Sequence, residues 1–342
     1  MILVTGGSGL LGSHLLMQLL EHEESVRAIY RTEKKLDDVR KAFNYYDVNS
    51  EELFQKIEWV RADVLDISSL KEAIGGVSQV YHCAGAVTFI PSEEGNMNAV
   101  NVNGTANVVN LCLDNPDIRL CHVSSVAALG RDKNDEVISE RNEWKESSYS
   151  AAYSVSKYRG EMEVWRGMVE GLNGFIVNPS LIIGPGDWSQ STGAMFKRTW
   201  KGMPFFTPGG NCFVDALDVS DVMIRLMKTD IRNERFIIGA ENRMFKDVFG
   251  RIAENMGKKP PKYEATEWMA QLTWRVEKLA SALSGKKPFI TKETAHHAMS
   301  LSRYDNSKLL KALKDFSYRD LNESLDFICG KFMDDMHVNQ TT

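Results

Sequence analysis

The amino-terminal pattern of apolar and polar residues predicts a strand, a tight turn and a helix. The apolar run Met1–Val4 is followed by TGGSGLLG at residues 5–12, where glycines interrupt the apolar pattern. Leucines at 11, 15, 16, 19 and 20 then recur at the spacing of one helical face. A strand and a helix joined by glycines form the first unit of an alternating α/β pattern.

The same alternation continues through the first half of the chain. Short apolar runs predict further strands, and longer periodic segments predict helices between them. The predicted strands are Val26–Tyr30, Ile57–Arg61, Gln79–Cys83, Leu120–Ser124 and Gly174–Asn178, and the predicted helices are Lys35–Phe54, Ile67–Ile74, Asn96–Leu113 and Tyr153–Val169. Such alternation predicts an α/β fold with a doubly wound parallel sheet, the Rossmann arrangement.

The second half of the chain is less regular and predicts a smaller, mainly helical domain. We assign residues 1–183 to the Rossmann domain, with returning segments at about 213–240 that include short strands around Phe213–Ala216 and Arg235–Ile238. Residues 184–212 and 241–332 form a predicted lid, and residues 333–342 a frayed tail. A Met- and Trp-rich helix begins in the lid at Glu267, and we expect its apolar residues to pack in the core.

Composition and charge narrow the classes of function. Hydrophobic residues make up 43% and charged residues 25% of the 342 residues, as in ordinary globular proteins. The net charge of −5 and the lack of a basic stripe argue against nucleic-acid binding. The cysteines and histidines show no metal-ligand spacing, and no apolar run reaches the ~18 residues of a membrane span. Because strand residues begin at Ile2, we expect no secretory signal and a cytoplasmic protein without a bound metal.

The glycine-rich turn has the chemistry of a dinucleotide-binding site. Gly6 permits the tight exit from the strand, Gly9 lets a pyrophosphate approach the backbone, and Gly12 lets the helix pack close to the sheet. The helix that follows directs the free N–H groups of its first turn and the positive end of its dipole toward the phosphates. We therefore include Leu10 and Leu11, at its start, among the predicted cofactor-binding residues.

The end of the second strand bears on the choice between NADP(H) and NAD(H). An NAD-binding unit carries an acidic residue about twenty residues after the glycine turn, but this chain has Arg31 there and no acid before Glu33. An arginine can bind a 2′-phosphate through charge-assisted hydrogen bonds. NADP(H) is therefore favoured, and NAD(H) is the alternative if Arg31 is an ordinary solvated residue.

Residues at the ends of the next two strands extend the predicted cofactor site. Asp63, followed by Val64, lies where a carboxylate can meet the adenine amino group, although it is equally placed to cap the helix Ile67–Ile74. The fourth strand closes with Ala84 and Gly85, which are small enough to let a cofactor lie close to the backbone.

A tyrosine and a lysine four residues apart predict the catalytic chemistry. Tyr153 and Lys157 lie on one helical face. A phenol needs its pKa to fall by about three units from about 10 to act as an acid or base near neutral pH, and one ammonium ~4 Å away contributes about that much. Ser125, at the carboxyl end of the fifth strand, can hold a substrate oxygen for Tyr153.

Together these motifs resemble the extended short-chain dehydrogenase/reductase family of the NAD-dependent epimerase/dehydratase superfamily. The shared pattern is TGxxGxxG at the first turn, a serine that ends strand five and YxxxK on the next helix, and it covers residues 1 to about 185. The resemblance implies that Tyr153 donates or accepts the proton and that Ser125 orients the substrate. It also implies that Lys157 binds the nicotinamide ribose and lowers the pKa of Tyr153.

The resemblance extends to further cofactor contacts and to assembly. It implies that Asn101 meets the cofactor and that Pro179 and Ser180 lie near the nicotinamide. Relatives often form homodimers through the helices Asn96–Leu113 and Tyr153–Val169, so a homodimer is a further expectation.

Two branches of the family differ in their substrates. The segments Pro288–Thr291 and Arg303–Leu309 resemble the dihydroflavonol-4-reductase-like and 3β-hydroxysteroid-dehydrogenase-like branch, which implies a small, cyclic and largely apolar alcohol or ketone. Nucleotide-sugar epimerases and dehydratases share the core motifs, but they commonly hold a diphosphate with lid arginines, and residues 209–212 contain none.

Other residues bear on the same choice. Ser125 lacks the acidic neighbour that dehydratases have, and Asn178 stands where many relatives carry arginine. The cations Lys197, Arg198 and Lys201 keep the sugar-nucleotide alternative open.

A third class, a redox-sensing binding protein that has lost its chemistry, usually lacks the catalytic tyrosine or lysine, and this chain retains both. We therefore expect an NADP(H)-dependent oxidoreductase that interconverts a secondary alcohol and a ketone by hydride transfer on a small-molecule substrate. An NAD(P)-dependent nucleotide-sugar epimerase or dehydratase is the alternative.

Overall fold

The computed structural model describes residues 1–22, 25–46, 49–131, 136–145, 151–284 and 291–341. Residues 288–290 of the branch-specific segment Pro288–Thr291 lie outside the described residues, as do residues 47–48 in the middle of the predicted helix Lys35–Phe54.

The described residues form strands and helices that alternate through the first half of the chain. The strands are β1 (Ile2–Thr5), β2 (Val26–Tyr30), β3 (Ile57–Arg61), β4 (Gln79–His82), β5 (Arg119–Val123), β6 (Asn173–Pro179), β7 (Leu181–Ile183), β8 (Phe205–Phe206), β9 (Gly210–Asp215), β10 (Arg235–Ile238), β11 (Glu241–Met244) and β12 (Tyr263–Glu264). The α-helices are α1 (Leu10–His22), α2 (Lys34–Asn44), α3 (Ser50–Gln55), α4 (Ile67–Ile74), α5 (Glu94–Asn98), α6 (Thr105–Leu113), α7 (Ala152–Val169), α8 (Gly193–Trp200), α9 (Ala216–Met227), α10 (Phe245–Asn255), α11 (Glu267–Ser284), α12 (Lys292–Met299), α13 (Ser307–Ala312) and α14 (Leu321–Thr341). A π-helical segment, Ala99–Gly104, joins α5 to α6.

Seven parallel strands form the central sheet, in the order β10-β6-β5-β4-β1-β2-β3. Successive residues of β1 enter different apolar clusters: Ile2 and Val4 pack in one and Leu3 in the other. The sheet is therefore covered on both faces, which explains its nearly continuous apolar strands. The predicted α/β fold with a doubly wound parallel sheet is confirmed.

The order of the strands reverses between β1 and β4. Thr5 and His82, the last residues of these strands, are paired in register, so a crevice opens beyond their carboxyl ends. Ligands of open α/β sheets bind at such a reversal. The residues predicted to act at the strand ends are thus carried to one edge of the sheet.

Two predicted helices differ from the observed ones. The segment predicted as a single helix over Lys35–Phe54 contains α2 and α3. The segment predicted over Asn96–Leu113 contains the end of α5, the π-helical segment and α6. Periodicity alone missed the π-helical segment because one wider turn shifts the apolar face only slightly.

The two late strands of the predicted returning segments belong to different sheets. β10 returns to the central sheet and pairs with β6. β9 lies between β7 and β11 in a second, three-stranded sheet.

The carboxyl-terminal helix is longer than expected. α14 extends to Thr341, so the residues predicted as a frayed tail are largely helical. The Asp335 carboxylate accepts hydrogen bonds from the Tyr45 hydroxyl at 2.6 Å and the Trp188 indole at 2.5 Å. These tertiary contacts, which a local pattern does not reveal, join the end of the chain to Tyr45 at the end of α2 and to Trp188.

The Met- and Trp-rich helix α11 also departs from its prediction. Trp268, Leu272 and Val276 are 66%, 53% and 57% exposed, so the expectation that they pack in the core is wrong. Their four-residue spacing places them on one face.

Among the described helices, none is both long and apolar enough to cross a membrane.

Candidate active site

In the glycine turn between β1 and α1, packing requires glycine at two positions and leaves open space at a third. Gly6 has a φ of +69°, and a Cβ there would lie 2.6 Å from the Ala84 nitrogen. A Cβ at Gly12 would collide with the backbone of Gly6. Gly9 differs, because the nearest atom to its Cβ would be the Gly6 oxygen at 3.4 Å. Packing therefore tolerates a side chain at Gly9, and the open space above it suits a bound phosphate.

The first turn of α1 borders two cavities. The helix begins at Leu10, which lines both of them, and its first turn has no acidic residue that would repel a phosphate. Leu11 is buried in the core instead. The smaller cavity, of about 190 Å³, is also lined by Gly9, Ser13 and Lys35. Sequence reasoning missed Lys35, which stands on α2 and pairs with an aspartate on its own helix.

The predicted adenine-side residues lie at the ends of β2 and β3. The guanidinium of Arg31 and the carboxylate of Asp63 are exposed and 4.0 Å apart. Asp63 does not cap α4, because Asp66 is the N-cap residue and accepts the hydrogen bond there; that alternative role is wrong. Val64 is buried against Gly104 of the π-helical segment.

The segment after β4 connects the glycine turn with the predicted catalytic residues. Ala84 touches the turn, and a Cβ at Gly85 would lie 3.4 Å from the Asn101 carbonyl oxygen and 3.6 Å from the Lys157 ammonium. The absence of a side chain at Gly85 keeps the edge of the site open beside these polar groups.

Asn101 is buried and fixed by three hydrogen bonds. Its side-chain amide donates to the Ala86 carbonyl and the Ser156 hydroxyl, both at 2.9 Å, and its carbonyl oxygen accepts from the Ala86 N–H at 2.8 Å. The π-helical segment therefore ties the loop after β4 to α7. Such segments occur frequently at functional sites.

The three predicted catalytic residues meet at the carboxyl end of β5. Tyr153 and Lys157 lie one turn apart on α7, and the Tyr153 hydroxyl is hydrogen-bonded to the Ser125 side chain. The Lys157 ammonium donates to the Val123 carbonyl at 2.8 Å. The sequence thus identified a set of residues that the fold brings together.

The pKa of Tyr153 differs from the value that the sequence led us to expect. Burial raises the pKa of Tyr153, and only the hydrogen bond from Ser125 opposes this rise. The lowering of the Tyr153 pKa that we expected from Lys157 is absent in this arrangement, where the ammonium donates to Val123. Burial also lowers the pKa of Lys157 to about 8, although the Glu161 carboxylate counteracts this effect.

Glu161 is the main residue of the site that sequence reasoning missed. It follows Lys157 by one turn of α7 and is fully buried. Its carboxylate accepts hydrogen bonds from the Ser124 hydroxyl at 2.6 Å and the Asn178 amide at 2.8 Å, and it pairs with Arg235 at 2.9 Å. The signal was an acidic residue at helical spacing from Lys157.

Asn178, which stands where many relatives carry arginine, and Arg235 both contact the Glu161 carboxylate. The Asn178 amide also donates to the Ser125 carbonyl at 3.0 Å, so it holds the backbone of the predicted catalytic serine. The positive charge that compensates Glu161 comes from Arg235 on β10.

A cavity of about 650 Å³ adjoins the Ser125 and Tyr153 side chains. Pro179 and Ser180, which we predict to lie near the nicotinamide, also line it. Much of its wall is apolar, with side chains from Val87, Phe89, Leu129, Trp144, Leu181, Ile182, Met195 and Phe245. Lys197, Arg198 and Lys201, the cations considered for a sugar diphosphate, are not among the described residues that line it.

Comparison with known proteins agrees with the family that the sequence motifs indicate. Residues 4–216 match the model of an NAD-binding family described as "Male sterility protein". The chain is 28% identical to a "Putative dihydroflavonol 4-reductase" of Synechocystis sp., over 91% of this chain and 88% of that protein. It is also 28% identical to "Tetraketide alpha-pyrone reductase 2" of Arabidopsis thaliana, over 76% and 83% of the two chains.

Solved structures share the whole fold. The protein gox2253 superposes with a TM-score of 0.79, at 26% identity and 98% coverage of both chains. A UDP-glucose 4-epimerase from Thermotoga maritima, solved with UDP-glucose, gives a TM-score of 0.75 at 18% identity, over 98% of this chain and 99% of that one. At that identity the second likeness concerns the fold alone.

Proposed function

From its membership of the extended short-chain dehydrogenase/reductase family, in the dihydroflavonol-4-reductase-like branch of NAD(P)-dependent enzymes, we propose a function for this chain. It is an NADP(H)-dependent oxidoreductase. It interconverts a secondary alcohol and a ketone on a small, cyclic and largely apolar substrate. The observation that carries the proposal is the cavity of about 650 Å³ in which Ser125 and Tyr153 adjoin a mostly apolar wall.

The residues of the crevice fit a nicotinamide dinucleotide. The glycine turn leaves space for the pyrophosphate at Gly9 and the N-terminus of α1 favours its charge. Asn101 and Lys157 border the opening at Gly85, where we assign the nicotinamide ribose. When bound, the cofactor supplies or accepts the hydride.

We assign substrate binding and proton transfer to side chains of this chain. Ser125 donates a hydrogen bond to the substrate oxygen, and Tyr153 gives a proton to that oxygen during reduction or removes one during oxidation. The Lys157 ammonium donates to Val123 in the arrangement described. We assign it the stabilisation of the phenolate that Tyr153 becomes after giving its proton, which requires the ammonium to turn toward Tyr153. The buried Glu161 keeps Lys157 charged to a higher pH than burial alone would allow.

The preference for NADP(H) rests on the cations near the end of β2. Arg31 is exposed beside Asp63, and an exposed ion pair of this kind contributes little free energy. The guanidinium can therefore exchange Asp63 for the 2′-phosphate of NADP(H). Lys35, beside the glycine turn, provides a second cation.

The sugar-nucleotide alternative has less support. A sugar diphosphate needs cations where it binds. The three considered from sequence are absent from the described cavity lining, which leaves Arg131 and Lys145 for that role. A homodimer through α6 and α7 and a cytoplasmic location remain predictions, and gel filtration tests the first.

Calorimetric titration and turnover test the proposal together. We expect NADPH to bind more tightly than NADH, uridine diphosphate not to bind, and the enzyme to oxidise NADPH in the presence of cyclic ketones such as 2-tetralone. Preference for NADH would contradict the assignment of Arg31. Binding of uridine diphosphate, without turnover of any ketone, would favour the epimerase or dehydratase instead.

A further inference from the structure

One part of the cavity differs from its apolar wall. Arg131, which follows the loop that carries Ser125, lines the cavity together with Tyr304, His296 and His297. The Arg131 guanidinium donates a hydrogen bond to the Tyr304 hydroxyl at 2.6 Å. The proposed proton donor Tyr153 and a guanidinium group therefore line the same cavity.

The support beneath Arg131 is rigid. Tyr304 is buried, and its backbone N–H and carbonyl are both hydrogen-bonded to the Asn242 side chain, at 2.9 and 3.0 Å. Tyr304 also forms a β-bridge with Ile138. A side chain held in this way fixes the position of the guanidinium that contacts it.

Among the described residues, the cavity wall around Arg131 carries positive charge and no carboxylate. The described residues that line the cavity include no aspartate or glutamate, and the hydrogen bond described for the Arg131 guanidinium goes to a neutral hydroxyl. Burial, with the nearby Arg131, lowers the pKa of His297 to about 4, so this histidine is neutral at pH 7. Arg131 thus faces the cavity beside neutral hydrogen-bonding groups.

We propose that the substrate carries an acidic group, a carboxylate or a phosphate, on its apolar framework, and that Arg131 binds this group. A guanidinium has five N–H donors in a planar fork that matches such anions, and the contact with Tyr304 uses one of them. The inference rests on the proposed function, because it assigns the substrate to the same cavity, and it narrows the substrate class from neutral ketones to acidic ones.

Matched aromatic probes test the inference by binding alone. We would measure the Kd of naphthalene-2-carboxylate, 2-naphthyl phosphate and naphthalene-2-carboxamide at pH 7 and constant ionic strength, with saturating NADP⁺. The acids share the ring system of the neutral amide, so the ratio of Kd values reports the charge. We expect at least one acid to bind about tenfold more tightly than the amide, as a charge-assisted hydrogen bond provides. The carboxylate and phosphate arms identify which acid the site prefers.

Variants assign the preference to Arg131. Arg131→Gln is expected to remove it while changing the Kd of the amide less than about twofold, and Arg131→Lys to retain part of it, because lysine keeps the charge without the fork. The control Arg225→Gln removes an equal charge from α9, where Arg225 pairs with Asp221, and should leave all three Kd values unchanged. Thermal unfolding checks that each variant is folded.

Three results would each overturn the inference: acids that bind no better than the amide, an acid preference that survives Arg131→Gln, or an acid preference that falls equally in Arg225→Gln. Probe binding requires no hydride transfer, so this failure is distinct from a failure of the proposed function. If the acid preference fails while ketones are still reduced, the oxidoreductase assignment stands without Arg131.

Discussion

The two ends of the proposed cofactor site differ in how their side chains are held. At the end assigned to nicotinamide, Asn101 and Lys157 are buried and hydrogen-bonded to neighbouring backbone. At the adenine end, the side chains of Arg31 and Asp63 are 65% and 37% exposed. The residues assigned to proton and hydride transfer thus lie in a preorganised region. The residues assigned to the choice between NADP(H) and NAD(H) lie in a solvated one.

This difference determines how strongly each end responds to mutation. Buried polar groups cannot exchange a lost partner for water, so their removal is costly. Exposed charges are screened by water and salt, and their removal costs little. Substitutions at the nicotinamide end should therefore affect activity much more than those at the adenine end affect binding.

The largest effect is expected from Tyr153→Phe, which removes only the hydroxyl assigned to proton transfer. We expect kcat to fall by about 100- to 10,000-fold, the usual range for general acid–base catalysis, while the Kd of NADPH changes little. Steady-state kinetics and calorimetry measure the two quantities.

A matched control separates this loss from a general loss of tyrosine hydroxyls. Tyr263 is 57% exposed on β12, so Tyr263→Phe should leave kcat unchanged. Turnover by Tyr153→Phe close to that of the unaltered enzyme would remove Tyr153 from the mechanism.

The second effect concerns Glu161→Gln, which removes the buried charge one turn from Lys157. We expect kcat at pH 7 to fall by about tenfold, equivalent to ~1.4 kcal/mol in the barrier, because Ser124 and Asn178 lose an anionic acceptor. The free energy of unfolding should fall by about 3 kcal/mol, because the partly buried Arg235 loses its ion-pair partner.

The pH profile of kcat/KM distinguishes an electrostatic role of Glu161 from a purely structural one. The pKa of Lys157 is about 8, so activity should decline as the pH rises through 8 and the ammonium loses its proton. Glu161 raises this pKa, so Glu161→Gln should move the decline to lower pH. Glu163→Gln, a partly exposed carboxylate of the same helix that pairs with Arg166, serves as the control. If the decline stayed at the same pH in Glu161→Gln, Glu161 would act only on structure.

The sequence could predict the central sheet because its signal is local. Each parallel strand is a short apolar run, and glycines mark the first turn, so bounds such as Val26–Tyr30 and Ile57–Arg61 agree with the structure. The grouping of Ser125, Tyr153 and Lys157 was also predictable, because strand ends share one edge and a four-residue spacing shares one helical face.

What the sequence could not predict depends on contacts between distant elements. The partner of Glu161 is Arg235, 74 residues later, and the helical end of α14 depends on Asp335 meeting Tyr45 and Trp188. The exposed face of α11 shows the reverse case, in which apolar spacing at Trp268 does not imply burial. In each case the missing information is tertiary rather than local.

A smaller effect is expected at the adenine end, from Arg31→Ala. Loss of the proposed contact with the 2′-phosphate should weaken NADPH binding by about tenfold, or ~1.4 kcal/mol, and leave the Kd of NADH unchanged because NADH lacks this phosphate. Arg40→Ala is the control, since Arg40 is bound to acidic residues of α2 and α3. An equal loss of affinity for both cofactors would show that Arg31 does not contact the 2′-phosphate.

The smallest effect, with the opposite sign, is expected from Asp63→Asn. The carboxylate of Asp63 lies 4.0 Å from Arg31, so it competes for the guanidinium and repels a nearby phosphate. Asparagine keeps the side-chain oxygen that accepts the Leu65 N–H but removes the charge. NADPH should then bind about twofold more tightly, and this gain should shrink as salt is added because both groups are exposed to screening. Asp37→Asn removes a carboxylate that pairs with Arg40 on α2 and should give no such gain. If Asp63→Asn instead weakened binding of NADPH and NADH alike, Asp63 would contact a part common to both cofactors, such as adenine, and that contact would outweigh its repulsion of the phosphate.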